Sequence, residues 1–321
     1  MGRTPRGLVL GALLLALLAT PLSAPFLDSY NYVLQVMIVM FMWIAMTSSW
    51  NIIGGFAGYT SLGHGVFFAL GGYLSGSLFV YLGLSPFLTA PLAGLVAVGV
   101  GLLVGLITLR TRGPSFIIST IALLLMTNLL INNWQFVGGA NGMSLPLPTL
   151  PLAAAKASFY YAMLVAAVGS VYLAYRVKRS KFGLGLRAVA EDETKAEVAG
   201  INTRMYKIAA FALSAFFVAV AGAVWAYSLA YLRPVTFLSI AIAADFVLMP
   251  ILGGRGTVAG PVLGSVLIVG VNELSVAYFG GTALNLVATG ALLLVVLLFF
   301  PQGIVGTLRQ HRRLPRILDW D

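Results

Sequence analysis

Long runs of apolar residues alternate with short polar segments along most of the chain. A helix needs about 20 mostly apolar residues to cross a bilayer, and the chain contains about ten such runs by that measure. They lie near residues 8–27, 32–53, 62–82, 86–109, 114–133, 159–177, 208–231, 237–252, 257–279 and 282–300. The pattern predicts an all-α polytopic membrane protein with about ten spans, which form a single transmembrane domain over residues 1–321.

The composition supports a membrane protein. Hydrophobic residues make up 60% of the chain and charged residues only 9%, whereas about 25% is usual in soluble domains. The 36 glycines suit helices that pack closely or contain breaks. There are no cysteines, so disulfides and thiolate metal sites are excluded.

Basic residues fix the predicted orientation. If the N-terminus lies inside, all of the 19 basic residues except Lys156 and Arg233 fall on the inside. Both termini are then cytoplasmic, with a cytoplasmic loop over 178–207, an outside loop over 134–158 and a basic C-terminal tail over 302–321. The net charge of +10 therefore reflects orientation in a bilayer and not nucleic-acid binding. The first segment also fits a cleaved secretory signal, although a retained span is favoured because its apolar run extends to Leu27.

One polar stretch, from Arg187 to Lys207, stands out against this background. Four of the nine acidic residues lie in it, namely Glu191, Asp192, Glu193 and Glu197. The early acids predict a short surface helix from Glu191 that stops at Gly200. Thr194 and Glu197 can instead form a capping box, which would start the helix one turn later. Asn202 or Thr203 can cap the next helix.

Two glycine-rich segments interrupt the apolar pattern, and both fall on the predicted inner side. Gly54, Gly55 and Gly58 follow the second span, while Gly253, Gly254 and Gly256 follow the eighth. Helices broken at matching places are typical of transporters. Two tight turns between closely packed helices explain the pattern equally well.

Few polar side chains within the spans are candidates for a translocation pathway. The ionisable ones are His64, Asp245 and Glu273, and the neighbouring polar candidates are Asn51, Ser61 and Asn272. Each has an alternative interpretation as a packed group hydrogen-bonded to a neighbouring helix. Asp245 is the most informative candidate for a translocation pathway, because it lies mid-span with no basic residue one turn away.

Signatures of catalysis are missing. His64 and His311 share no plausible metal site, so no metal ligand set is predicted. None of the five lysines follows a glycine, so the chain has no G-K-[ST] phosphate loop. The sequence predicts a protein that is not an enzyme and holds no cofactor itself.

Taken together, these motifs resemble the LivM family, the permease subunits of branched-chain amino acid ABC importers. The resemblance rests on residues 51–64, on Arg187 to Asn202, and on Asp245 with the glycines from Gly253 to Gly260. These pieces occur in the family's order and span about residues 30 to 305, nearly the whole chain. One departure is Ala190, which stands where many relatives have a basic residue.

The resemblance implies that the segment from Glu191 to Gly200 is the coupling helix, which docks on a cytoplasmic ATPase. The residues that match the family there are Arg187, Glu191, Asp192, Glu193, Ala196 and Gly200, with Glu197 in the same helix. Small Ala196 and Gly200 would permit close approach to the partner. Implied partners are two ATPase subunits that hold ATP and Mg²⁺, a second homologous permease, and a periplasmic or surface binding protein. The implied location is a bacterial or archaeal inner membrane.

Rival hypotheses remain. Related ABC permeases carry urea or other amino acids. A stand-alone secondary transporter or channel would use Asp245 or Glu273 as an ion-coupling carboxylate.

Overall fold

The computed structural model describes residues 5–21, 30–147, 151–280, 287, 290–291, 294, 298–300, 302–311 and 320. Its helices are α1 Pro5–Ala19, α2 Tyr30–Asn51, α3 His64–Leu82, α4 Pro86–Thr108, α5 Pro114–Asn133, α6 Leu152–Lys178, α7 Lys181–Glu191, α8 Glu193–Val198, α9 Thr203–Leu229, α10 Pro234–Phe237, α11 Ile240–Gly253, α12 Ala259–Phe279 and α13 Gly303–Gln310. Within these residues, eight helical segments are long and apolar enough to cross a membrane. The all-α polytopic architecture is therefore confirmed.

These eight segments coincide with the second to ninth predicted spans. The first predicted span, 8–27, is helical over α1, and its continuation beyond Pro21 lies outside the described residues, as does most of the tenth, 282–300. Some boundaries differ. The sixth helix begins at Leu152 and not at 159, so the predicted outside loop is shorter, and the eighth span is divided into α10 and α11.

The centre of the bundle is formed by α2 and α9, the two most buried spans, whereas α4 and α5 expose most of their surface. Helix α9 packs along α3 and α4, and α2 packs along α6. A β-carbon added to Gly71 of α3 would lie 1.9 Å from the carbonyl oxygen of Ala219 in α9. A β-carbon added to Gly222 of α9 would lie nearly as close to the carbonyl oxygen of Phe68 in α3. Glycine therefore serves the close helix packing that its abundance predicts.

At one end of the bundle, the connection after α5 is ordered. It forms short 3₁₀ turns over Gln135–Val137 and Gly139–Asn141 and then a strand, Met143–Ser144 (β1). This strand pairs antiparallel with Tyr231–Leu232 (β2), so that Met143 lies opposite Leu232. The two connections that the charge pattern places outside thus meet each other.

At the opposite end, the two glycine-rich breaks also meet. We call residues 54–58 the first break and residues 253–257 the second break. The first is reached through a π-helix, Ile52–Phe56, that continues α2. A β-carbon on Gly54 would lie 2.2 Å from the ring of Trp50, which explains the need for glycine there.

Side-chain hydrogen bonds join the two breaks. The Asn51 amide accepts a hydrogen bond from the backbone N–H of Gly256 at 3.0 Å and donates one to the carbonyl of Thr257 at 2.8 Å. Arg255 donates to the carbonyls of Gly54 at 2.6 Å and Gly58 at 2.8 Å. Backbone groups released from helices are therefore paired across the breaks.

We expect Asn51→Leu to destabilise the protein. It would leave the buried C=O of Thr257 and the half-buried N–H of Gly256 without these partners, at about 1–3 kcal/mol for a buried group. Thermal unfolding of the purified chain in detergent would show a lower Tm. The matched control is Asn133→Leu, because Asn133 is exposed and donates only to Leu129 of its own helix. Equal Tm values for the two variants would contradict this account of the breaks.

Candidate functional site

The polar segment between α6 and α9 forms two helices, α7 and α8, where the sequence predicted one. Asp192 separates them in an extended conformation, with φ −160° and ψ 108°. Its carboxylate accepts a hydrogen bond from the Lys195 N–H at 3.0 Å and caps α8. Both predicted helix starts, at Glu191 and one turn later through Thr194, are therefore wrong. The acid at 192 provides the cap itself, so Glu191 belongs to the end of α7.

The predicted end of α8 is confirmed. Gly200 adopts φ +86°, and its N–H donates to the Glu197 carbonyl at 2.9 Å. The N–H of Ile201 donates to the carbonyl of Ala196 at 3.0 Å. This pair of bonds is the Schellman arrangement that a left-handed glycine permits. Asn202 then caps α9 by accepting from the Met205 N–H.

Glu193 of α8 is the centre of a buried polar cluster. Its side chain is only 11% exposed and pairs with Lys207 of α9, which is 3% exposed, at 2.5 Å. The Tyr59 hydroxyl donates to its other carboxylate oxygen. Thr203 donates at 3.3 Å, and Arg112 lies 3.4 Å away. We call these five residues the α8 cluster.

The cluster keeps its central carboxylate ionised. Burial alone would raise the pKa of Glu193, but hydrogen bonds from Lys207 and Tyr59 outweigh that effect and lower it. Burial and the hydrogen bond to Glu193 raise the pKa of Tyr59, so the phenol remains a donor. The pair is therefore a charged, hydrogen-bonded contact held away from solvent.

Through this cluster, α8 is joined to three other parts of the chain. Tyr59 directly follows the first break, and its ring packs edge-on against Phe116 of α5 with centroids 5.4 Å apart. Arg112 comes from the connection between α4 and α5 and also contacts Glu197 at 3.4 Å. Lys207 lies in the second turn of α9. A displacement of α8 is consequently resisted by the first break, by α9 and by the α4–α5 connection.

The opposite side of α8 is exposed. Val198 at its C-terminal end is 86% exposed, and Gly200 beyond it is also exposed. Ala196, in contrast, is 4% exposed and faces the chain's own interior. Of the two small residues expected to approach a partner, only Gly200 is on the surface.

Arg187 and Glu191 lie on α7 and are exposed. Arg187 lines a cavity of about 320 Å³ together with Lys178, Phe56 and Gly256. Lys178 donates to the carbonyl of Gly256 at 2.9 Å. Helix α7 therefore covers the breaks, and Gly58 at φ +79° lies against Ala190 of this helix. A longer side chain at 190 would have less room there.

The first of the ionisable candidates in the spans, His64, is a packed and paired group. It is fully buried, with one ring nitrogen 3.1 Å from the Ser61 hydroxyl and the other 2.8 Å from the Ser214 hydroxyl of α9. Ser61 is also buried, and its carbonyl accepts from Trp50. The structure thus brings Ser61 and His64 together, while Asn51 lies at the junction of the breaks.

The other candidates lie apart. Glu273 of α12 accepts a hydrogen bond from the Tyr32 hydroxyl at 3.0 Å, and Asn272 beside it is exposed. Asp245 of α11 is half-buried and makes no hydrogen bond or ion pair within the part of the chain that the structure describes. No group of three His, Asp or Glu side chains in that part forms a metal site.

Sequence reasoning missed three members of the α8 cluster. In the sequence, Tyr59 belongs to the motif of residues 51–64 only as a neighbour of glycines. Lys207 and Arg112 contribute there only to the positive charge on the predicted inner side. A signal existed for Lys207, because a lysine at the start of an apolar helix is poorly placed unless an acid pairs with it.

Comparison with known proteins shows the family of the chain. A family model described as "Branched-chain amino acid transport system / permease component" matches residues 32–297. The permease protein LivM of the high-affinity branched-chain amino acid transport system of Escherichia coli (strain K12) is 28% identical over 328 residues, covering 94% of this chain and 76% of LivM. LivM of Salmonella typhimurium is 29% identical with the same coverage.

A second group of relatives matches a shorter region. The permease protein LivH of the same system in Salmonella typhimurium is 35% identical over 131 residues, which is 40% of this chain and 41% of LivH. No solved structure matches the chain. Since the family model covers most of the described spans, the chain belongs to the family of branched-chain amino acid transport system permease components.

Proposed function

We propose that this protein is a transmembrane permease subunit of an ATP-driven importer of branched-chain amino acids. The observation that carries the proposal is α8, an exposed short helix whose buried carboxylate is bonded to the first break and to α9. The family and the names of the relatives support leucine, isoleucine and valine as the substrate class. Urea and other amino acids are the alternatives to test.

The proposed assembly has several subunits. Two ATPase subunits bind ATP and Mg²⁺ on the cytoplasmic side, one of them docks on α8 of this chain, and the permease itself performs no catalysis. A second homologous permease completes the pathway, and a periplasmic or surface binding protein delivers the substrate. The chain lies in a bacterial or archaeal inner membrane with both termini cytoplasmic, an orientation that rests on the distribution of its basic residues.

In the proposed mechanism, closure of the ATPases displaces α8, and the α8 cluster carries that displacement into the spans. Glu193 transmits it to α9 through Lys207 and to the first break through Tyr59. The first break is in turn tied to the second through Asn51 and Arg255. One docking event therefore moves the ends of α2, α9 and α11 together, as a switch between two packed arrangements requires.

The rival proposal of a stand-alone secondary transporter has one supporting observation, the lack of a partner for Asp245 among the described residues. It requires transport by the purified single chain under an ion gradient without ATP. The exposed α8 and its buried anchor have no role in that scheme, which makes the ABC importer the better account.

We expect Val198→Asp to weaken docking of the ATPase strongly. A buried charge at the centre of an interface costs more than about 2 kcal/mol, which corresponds to roughly a thirtyfold loss of affinity. The measurement is co-purification of ATPase subunits with a tagged permease in mild detergent. The matched control is Val235→Asp on α10, which is 75% exposed at the other end of the bundle. Undiminished co-purification with Val198→Asp would contradict the docking role of α8.

We expect Glu193→Gln to uncouple ATP hydrolysis from transport. It removes the carboxylate opposite buried Lys207 and weakens the link from α8 to the first break, and losing one charged hydrogen bond changes an equilibrium by roughly tenfold or more. Leucine uptake into proteoliposomes should therefore fall roughly tenfold or more. The ATPase activity that the binding protein stimulates should persist. The control is Glu197→Gln, whose side chain is 48% exposed. Parallel loss of uptake, ATPase activity and assembled complex would show that Glu193 is only structural.

A further inference from the structure

We propose that Asp245 binds the ammonium group of the amino acid as it passes through the membrane. This inference rests on the proposed function and adds to it a substrate-contacting residue. It is carried by the position of the carboxylate, its exposure and the pairing of every other ionisable candidate in the described spans.

The ionisable side chains predicted in the spans now divide into two kinds. His64 has a hydroxyl partner at each ring nitrogen, and Glu273 accepts a hydrogen bond from Tyr32. Both are accounted for as structural groups. Asp245 alone among the three has no polar partner within the described residues, although it is half-buried.

The depth of Asp245 excludes a simple surface role. It is the twelfth residue of the 20-residue span Pro234–Gly253, and it precedes the inner end at Gly253 by eight residues, which is about 12 Å along a helix. Its neighbour Phe246 is fully buried and packs edge-on against Trp43 of α2 with ring centroids 5.9 Å apart. The Phe246 side of α11 is thus packed against α2, and the carboxylate of Asp245 lies on a different side of the helix.

The carboxylate of Asp245 is half-buried and so remains partly open. Ala241 lies one turn before it on the same face of α11, because residues four apart are neighbours on a helix. Ala241 is exposed, and its methyl group is too short to cover the acid. The other residues one turn away, Ile242, Leu248 and Met249, are apolar and offer the acid no hydrogen bond. A carboxylate at this depth is unfavourable against lipid and belongs beside protein or water.

The chemistry of the cargo fits this position. An amino acid is a zwitterion, so its ammonium group loses hydration when it leaves water and needs an anionic acceptor of hydrogen bonds. Asp245 supplies that acceptor between the two ends of the bundle. The exposed Ala241 one turn away leaves room for an aliphatic substrate, and the second permease would close the other side of the route.

The test uses the complete complex of permeases, ATPases and binding protein in proteoliposomes. We expect Asp245→Asn to reduce leucine uptake at least about tenfold, the effect of losing one charged hydrogen bond. Asp245→Glu should retain most of the uptake, and the control Glu273→Gln should retain all of it. ATPase activity stimulated by the binding protein should persist in every variant, since α8 is untouched.

A second measurement does not depend on transport. The chain has no cysteine, so Asp245→Cys introduces its only thiol. A water-soluble methanethiosulfonate should label that thiol, and saturating leucine with its binding protein should slow the labelling. An anionic reagent, which restores a negative charge, should raise uptake again. The control is Leu129→Cys on α5, which is 65% exposed on the outside of the bundle and should resist labelling.

Uptake by Asp245→Asn equal to that of the wild type would overturn the inference, as would a thiol at 245 that is not labelled or that leucine does not protect. Failure of the wild-type complex to import leucine would instead overturn the proposed function. The two failures are therefore distinguishable.

Discussion

The structure depends on one constraint, that a backbone group released from a helix at membrane depth must be paired by other parts of the protein. The chain breaks its helices twice at the same end, and each break supplies partners for the other. Asn51, before the first break, accepts from and donates to the second. Arg255, within the second, donates to two carbonyls of the first. Neither break could persist in this form without the other.

This reciprocal pairing explains why residues far apart in the chain form one site. With the breaks tied together, α7 can cover them, and Lys178 and Arg187 can line the cavity beside them. Tyr59 emerges from the first break towards Glu193. The cations at this end thus do more than orient the protein in the bilayer. Lys178, Lys207 and Arg255 are each used for a specific hydrogen bond.

The sequence predicted the larger features well, because they depend on local patterns. Twenty-residue apolar runs, the glycine stop at Gly200 and the positions of the breaks can all be recognised without knowing the fold. The division between α7 and α8 could not be recognised in this way. Both Glu191 and Asp192 suit the start of a helix, and the choice between them depends on how Glu193 reaches Lys207. The inward orientation of Ala196 follows from the same tertiary contact.

Pairing of polar groups is also a tertiary property. From sequence alone, His64, Asp245 and Glu273 are all candidates for the pathway, and Asp245 is distinguished from the others only by its mid-span position. The structure separates them because Ser214 and Tyr32, the partners of His64 and Glu273, come from other helices whose approach no local pattern encodes. Only Asp245 retained the features that made it a candidate, since its mid-span position was visible in the sequence.

The small size of α8 bears on its proposed role as a transmitter. Six residues are too few for a helix to be stable on its own, so α8 exists only because Asp192 caps it, Gly200 ends it and Glu193 anchors it. A longer helix could bend or slide over a partner without moving the spans. Helix α8 cannot move far without straining the bonds to Lys207 and Tyr59. A force applied to its exposed side is therefore carried directly to α9 and to the first break, where the helices are already interrupted and their ends can be rearranged.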